Sequence, residues 1–353
     1  MIAFKTYNKK ELRDYLESKE FQNAEIIPIS YHRGLSHCNN PFAEEDDVLL
    51  IRAMVGKKMV GYLGVLPENI QYGPSKTAHM GWMSCIWVSE QYRGQRIAAK
   101  LVKHAFEAWK GNILATEFTE PAKKLYDKLE LFEYPPILSG IKLYPRFALA
   151  DIIPSRFAKL KNLKPLFKGL DLGGNLILDF VALLKARSKS FQFLESTVLE
   201  EEELNFLVRN DGNIFEFQKA QWILQYPWIL QGNNPDHRYH FSAYSKTFAQ
   251  RVFRLYKEDK LYAIMVLQEK NGHAKIPFYW SDNHELSAQF LLDIATREKY
   301  KTLLCYYPYL ASGLEKESKF KKLQVRNFLV GRKAPAELRA FTFQAFHSDA
   351  ACC

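Results

Sequence analysis

Long apolar runs are the first thing missing from this chain of 353 residues. The longest candidate, Leu176 to Leu184, is interrupted by Asp179, and it falls well short of the roughly 20 residues that a membrane-crossing helix needs. The first ten residues, Met-Ile-Ala-Phe-Lys-Thr-Tyr-Asn-Lys-Lys, hold no apolar leader core and no cleavage site. Export is therefore not expected, and a cytoplasmic protein is. Cysteine is scarce: Cys38, Cys85, Cys305, Cys352 and Cys353 make five. An odd number without metal-ligand spacing argues against a disulfide framework and against a bound metal. His32, His37 and Cys38 lie close together, but no further ligands are spaced to complete a site. No cysteine lies four from the end, so Cys352-Cys353 is not a prenylation box; the pair is expected on a solvated tail.

A dense stripe of one charge is also missing. The formal charge is +10, yet residues 1–150 hold 20 Lys/Arg against 17 Asp/Glu, and residues 191–353 hold 21 against 19. Residues 151–190 hold 8 against 3, so half of the excess sits on a 40-residue connector. A nucleic-acid-binding domain would spread its cations over one large face, and nucleic acid is not the expected partner. With 47% apolar residues the chain can bury sizeable cores, and its length favours two domains.

What is present is a strand, a basic turn and a helix. Met83 to Val88 is an apolar run rich in strand formers, Arg93-Gly94-Gln95-Arg96 follows a polar turn, and Ile97, Leu101, Ala105 and Trp109 fall on one helical face. Unpaired backbone N–H groups and the positive end of the helix dipole coincide at such a turn, which makes it an anion site. The segment resembles the acyl-CoA-binding motif of the GNAT N-acyltransferase superfamily: a hydrophobic strand, Arg/Gln-x-x-Gly-x-Gly/Ala, then a helix. Arg93 opens the motif and Ala98 fills its last small position, while Arg96 stands where the family usually has a glycine. The resemblance implies that backbone groups of Gly94, Gln95, Arg96, Ile97, Ala98 and Ala99 hold the pyrophosphate of acetyl-CoA or another acyl-CoA, beside the strand residues Ile86, Trp87 and Val88.

A second motif follows one strand later. Thr119-Glu120-Pro121 supplies a cap, an acidic first turn and a proline at a first helical position. The helix beyond resembles the family's Ala-x-x-Leu-Tyr-x-Lys-Leu-Gly-Phe in Ala122, Leu125, Tyr126, Lys128, Leu129 and Phe132, with Glu130-Leu131 in place of one glycine. By resemblance Tyr126 is the acid that protonates the leaving thiolate, and backbone N–H groups near Ile86 to Val88 meet the oxyanion. Glu117 is the first choice of base, with Glu120, His79 and Glu68 behind it. Cys85 is expected to be a core cysteine rather than a nucleophile.

Along the rest of the chain, Ile2 to Tyr7 is expected as a strand and Asn8 as the cap of a helix that buries Leu12, Tyr15 and Leu16. Tyr31 to Asp47 is expected as a long loop bordering the acceptor cleft. Strands Val48–Val55 and Lys58–Pro67 flank a Gly56-Lys57 hairpin; Ile70–Tyr72, Ala78–Val88 and Asn112–Phe118 continue the sheet. The basic connector leads to Gly173-Gly174 and then to a helix from Leu176 to Lys185; it is expected as a pair of helices packed between domains with its lysines in water, in preference to a surface that touches an anionic membrane. From Phe191 the order of elements repeats: helices from Glu200 and from Phe215 to Gln225, strands Tyr239–Tyr244, Gln250–Lys257, Lys260–Glu269 and His273–Trp280, a helix His284–Lys299, a strand Thr302–Tyr307, a short helix near Leu310–Phe320 and a last strand Val325–Val330. Where the first copy has its anion loop, the second has Tyr279-Trp280-Ser281-Asp282-Asn283-His284, with Asp282 expected to satisfy the helix donors itself.

The expected fold class is therefore α/β (α+β): two tandem GNAT-like domains, each a mixed, mainly antiparallel sheet flanked by helices, with a degenerate C-terminal copy. The expected division is residues 1–147, a basic helical connector 148–190, a second domain 191–335 and a tail 336–353. The implied function is transfer of an acyl group, acetyl in the first instance, from the CoA thioester to a primary amine of a small molecule or peptide. Two alternatives remain: a non-catalytic acyl-CoA-binding or regulatory module, and an aminoacyl transferase of the FemX type.

Overall fold

Apolar alternation over three successive runs builds a meander, and the same meander is built twice. The computed structural model describes residues 2–185, 191–210, 212–233, 236–318, 320–348 and 351–352. They fall into two units: Met1–Leu138 with Val198–Phe248 and Val325–Cys353, and Ser139–Thr197 with Ala249–Gln324. Neither is a continuous stretch of chain.

The first unit holds strands β1 (Ile2–Tyr7), β2 (Leu50–Val55), β3 (Lys58–Gly73), β4 (Lys76–Val88), β5 (Ile113–Thr116), β6 (Phe132–Glu133) and β16 (Phe328–Gly331) in one sheet of order β1-β2-β3-β4-β5-β16-β6. The second holds β7 (Leu138–Leu143), β8 (Gln192–Ser196), β11 (Phe248–Lys257), β12 (Lys260–Lys270), β13 (His273–Ser281), β14 (Thr302–Cys305) and β15 (Lys321–Arg326) in the order β8-β11-β12-β13-β14-β7-β15. The orders match position by position. In each sheet the meander is antiparallel, and one parallel pair, β4 with β5 or β13 with β14, follows it. The sixth place in each sheet is taken by a strand from the other repeat: β16 beside β5 and β7 beside β14, both antiparallel. The repeats thus exchange a strand. The expected last strand Val325–Val330 is split by this exchange, its two parts lying in different sheets.

Helices cover both faces of the first sheet. On one face α4 (Ile97–Ala108) and α5 (Glu120–Leu129) bury Ile97, Leu101, Ala105 and Tyr126 against Ala53, Val60 and Val65. On the other, α1 (Lys9–Glu17) brings Leu12, Tyr15 and Leu16 onto Tyr7, Leu50 and Tyr62. Its cap is the expected Asn8, completed by Glu11 in a reciprocal box. Beside it lie α2 (Lys19–Gln22) and α3 (Tyr31–Cys38). The expected loop from Tyr31 is thus a helix at its start. Its buried residues are Arg33, Gly34, Ser36, His37 and Cys38, so no apolar period marks it, and Gly34 allows contact with Leu16 that a Cβ would block at 2.6 Å.

Segment Val198–Phe248, expected in the second domain, packs in the first unit instead. It carries α8 (Leu204–Arg209), α9 (Ile214–Gln225) and two-residue strands β9 (Leu230–Gln231) and β10 (Tyr244–Ser245). Trp222 and Trp228 donate their indole N–H groups to the carbonyl and hydroxyl of Ser36, at 2.9 and 3.0 Å. The expected strand Tyr239–Tyr244 is mostly irregular; Tyr239 and Phe241 serve as packing aromatics. The expected solvated tail is likewise structured: Phe343, Phe346, His347 and Cys352 are buried. Cys353 lies outside the described residues.

In the second unit α10 (His284–Arg297) and α11 (Pro308–Glu317) cover a core of Phe253, Leu255, Met265, Phe290 and Leu303. The connector folds as α6 (Leu149–Arg156), a short 3-10 turn and α7, which runs unbroken from Lys164 to Lys185. The helix expected from Leu176 thus starts earlier and runs through Gly173-Gly174, because Gly174 is where it closes on Phe147.

The strand exchange is testable at Gly331. A Cβ there would stand 2.2 Å from the carbonyl oxygen of Gly111, a backbone atom that cannot give way. Gly331→Ala is expected to lower the unfolding free energy in urea by about 2 kcal/mol or more, whereas a dispensable β16 would leave the midpoint unchanged.

Candidate acyl-donor site

The site begins where β4 and β5 part. Among the described residues they pair only at Gly81–Ile113 and Trp82–Leu114. β4 then runs on to Val88 with β3 along one edge and no strand along the other. The divergence coincides with Cys85, whose φ is +56°, and with a register shift opposite Tyr62 and Gly64; an irregular, strongly twisting strand leaves its neighbour at such points.

Beyond β4 the chain turns through Arg93, Gly94 (φ +85°), Gln95 and Arg96 into α4. Arg96 takes the left-handed conformation, φ +58° and ψ 25°, that a glycine adopts readily. Its backbone thus follows the path open to the family's usual glycine. No side chain caps α4, so the first N–H groups of the helix face outward unsatisfied by a side-chain acceptor. A cleft of about 830 Å³ opens at this end, lined by Val88, Gly94, Ala98 and Leu125 among others and by five cations: Arg93, Arg96, Lys100, Lys103 and Lys128. Among the described residues no carboxylate lines it. Orphan donors, a helix dipole and five cations select a polyanion with an apolar portion.

Of the residues expected to hold the donor, Val88, Arg93, Gly94, Arg96, Ile97, Ala98 and Ala99 line this cleft, and Ile86, Trp87 and Gln95 do not. Trp87 stacks on His240 at 4.1 Å, on the opposite face of the sheet. Arg93 is exposed and pairs with Glu90 at 3.1 Å.

The candidate acid and bases are placed elsewhere. Tyr126 is buried between Phe118 and Phe132 and lines a second cavity of about 590 Å³ with Asp127, Tyr134 and Arg332, not the cationic cleft. Glu117 has φ +49° and pairs with the buried Arg326 at 3.1 Å. Glu120 is exposed in the first turn of α5. Glu68 is fully buried, 2.7 Å from Lys219, and accepts the N–H of Ser348; burial pushes its carboxyl up against the opposing pull of Lys219. His79 bonds Asn69 and lies 3.0 Å from Asp47. Glu44 joins them, so three possible ligand atoms lie within 4.8 Å of one another, a grouping that sequence spacing did not reveal.

The opposite face of β4 carries a polar cluster that the sequence did not reveal either. Arg33 of α3 donates to Ser84 Oγ and Cys85 Sγ, both at 2.7 Å, and to Tyr239 OH at 3.1 Å. Its guanidinium lies 3.8 Å above the Trp228 ring. Burial holds the Tyr239 hydroxyl well above its ordinary range, against the pull of Arg33, and pushes His37 down. Tyr239 is thus a neutral phenol and His37 a neutral imidazole. Cys85 is half-buried and sits inside this network, not in an apolar core. These residues come from three separated segments, which is why no local pattern announced them.

The corresponding place in the second unit is closed by its own side chains. Asn283 caps α10 by accepting from Leu286 N–H, and Ser281 Oγ accepts from Asn283 N–H. The cap is Asn283, not the expected Asp282. Tyr307 donates to the carbonyl of Pro277 on β13 at 2.7 Å.

With this geometry in place, residues 43–130 match the family model described as an acetyltransferase (GNAT) domain. This segment, which spans β2 to α5, is a GNAT domain, and the two sheets repeat one fold in tandem. No curated protein matches the chain. Solved structures similar to it include a GCN5-related N-acetyltransferase from Kribbella flavida, 11% identical over 93% of this chain and 70% of that one, with a TM-score of 0.49. A Saccharomyces cerevisiae N-myristoyltransferase with bound myristoyl-CoA is 12% identical over 94% and 82%, TM-score 0.49. A tandem GNAT protein from the clavulanic acid biosynthesis pathway is 11% identical over 95% and 100%, TM-score 0.49.

His79 supplies a pH test of this region. Burial alone would lower its pKa, but the hydrogen bond and charge of Asp47 outweigh that and raise it. A group raised on folding stabilises fully below its unfolded pKa and loses that contribution as pH climbs through the folded value. The melting-temperature difference between wild type and His79→Gln is expected to be largest near pH 6 and to shrink towards about pH 9. A difference that is flat with pH would mean that the ion pair does not form.

Proposed function

We propose that the chain is an acyl-CoA-dependent N-acyltransferase that moves an acetyl group from the CoA thioester to a primary amine of a small molecule or peptide. One observation carries the reading: the uncapped N-terminus of α4 opens into a carboxylate-free cleft with five cations, at the end of a strand whose outer edge has no partner. The phosphates lie against Arg93 to Ala99 in this reading, with Lys100, Lys103 and Lys128 supplying further charge. The thioester end follows β4, whose unpaired backbone N–H groups near Ile86 to Val88 polarise the carbonyl oxygen. Tyr126 is assigned the proton for the leaving thiolate, since a phenol and a thiol have similar pKa values and little driving force is lost. Glu117, at the end of β5, is assigned the amine proton.

The placement of Tyr126 away from the cleft, and the pairing of Glu117 with Arg326, favour a second reading: an acyl-CoA-binding module without turnover. Calorimetric titration of acetyl-CoA, with desulfo-CoA as a chemistry-free control, separates the two. Arg93→Ala with Gly94→Pro is expected to abolish binding, and Lys100→Glu with Lys103→Glu to weaken it by about tenfold. Tyr126→Phe is expected to leave affinity unchanged while cutting turnover by about a hundredfold. Binding without turnover across polyamines, amino sugars and peptide amines would establish the module, and no binding of any CoA species would remove both readings.

A further inference from the structure

In α7 the usual amphipathic arrangement is reversed. The helix has 22 residues, about 33 Å at 1.5 Å per residue. The side that meets the body of its unit is largely polar. Asp171 accepts the N–H groups of Leu149 and Ala150 at the start of α6, Asn175 bonds both backbone groups of Phe147, and Asp179 pairs with Arg146. The side that meets solvent is apolar. Leu166, Leu170, Ile177 and Phe180 are 53 to 67% exposed. With Gly173 they recur at alternating intervals of four and three, the spacing of a single helical stripe. Leu172 and Leu176 widen the stripe, and Phe157 and Leu163 extend it into the preceding turn, all of them exposed. An exposed row of this length is uncommon on a surface that meets only water.

Charge decides what covers it. Lys159 and Lys161 are exposed in the turn that carries Phe157 and Leu163, and Lys164 and Lys168 are exposed in the first turns of α7, in line with Asp171 and Asn175; none forms an ion pair among the described residues. The nearby carboxylates are already committed: Asp151 to Lys301, Asp171 to α6, and Asp179 to Arg146. An anionic lipid surface complements both the apolar row and the surplus of lysine, since its attraction acts on exposed cations within a Debye length. Leucine and phenylalanine enter the acyl boundary, and the stems of Lys159 and Lys161 reach the headgroups beside Phe157 and Leu163. Among the described residues no helix is long and apolar enough to cross a membrane, so the helix lies along the surface.

We propose that α7 and the turn before it are a docking surface for an anionic lipid bilayer, anchoring the chain peripherally. The full chain is tested by co-sedimentation with vesicles of phosphatidylcholine containing one-third phosphatidylserine, and with phosphatidylcholine alone. Binding is expected on the anionic vesicles only and is expected to fall with rising salt. Leu170→Glu with Ile177→Glu is expected to reduce it by about tenfold or more. Replacing the four lysines by glutamine, which disturbs no packed residue, is expected to do the same. This second variant decides the matter if the first fails to fold, as judged by its melting curve. Absence of binding to anionic vesicles would overturn the proposal, as would undiminished binding by the lysine variant. A dimer in sedimentation equilibrium that Leu170→Glu with Ile177→Glu dissociates would also overturn it, assigning the face to a second copy.

Discussion

The parting of β4 from β5 after Trp82 is the constraint on which the first unit turns. A strand inside a sheet satisfies its backbone on both edges, and one that leaves its neighbour must find other partners. Gly81 lies just before the parting and has no room for a side chain, since a Cβ there would stand 2.6 Å from Val65 and 2.7 Å from the Trp109 ring. That close approach fixes α4 on the sheet at the same level. The end of β4 and the start of α4 therefore arrive together with unsatisfied donors, and the cationic cleft is what surrounds them. The second unit begins from the same divergence and ends differently. There Tyr307 reaches across to β13, and Asn283 and Ser281 consume the donors at the start of α10. One repeat is left open at this place and the other is filled by its own side chains.

Holding the open repeat together falls to interactions between distant parts of the chain. The buried Glu68–Lys219 pair, at 2.7 Å, links β3 to α9, and Ser348 closes the arrangement by donating to Glu68 and accepting from Lys219. Three segments separated by more than a hundred residues meet at one charge pair. Removing either partner would leave a buried charge uncompensated, which is far more damaging than the pair is stabilising. Arg33 plays a similar part on the other side, where its guanidinium is shared among Ser84, Cys85 and Tyr239 and covered by Trp228. Strand exchange adds a backbone tie, because β16 completes the first sheet only after the second repeat has been traversed.

The sequence by itself determined the elements whose signals are local. The Asn8 cap, the Gly56 hairpin, the meander strands, the turn from Arg93 to Arg96 and the Thr119 cap all rest on side chains within a few residues of the backbone they govern, and each lies where the pattern put it, except that the expected Lys58–Pro67 and Ile70–Tyr72 are one continuous strand, β3. The repeated order of elements was legible for the same reason, since each meander carries its own alternation. Only the tertiary structure decided which repeat owns which segment. Val198–Phe248 reads as the opening of the second domain because it follows the connector, yet its Trp222 and Trp228 find their acceptors on Ser36. Val325–Val330 reads as one strand because its residues suit any sheet, and Asn327 separates two parts that pair with different partners. The polar face of α3, the network around Cys85 and the outward apolar row of α7 were hidden for a related reason. Periodicity tells which residues share a side, but whether that side meets a core, a cluster of charges or solvent depends on chain that lies elsewhere in the sequence.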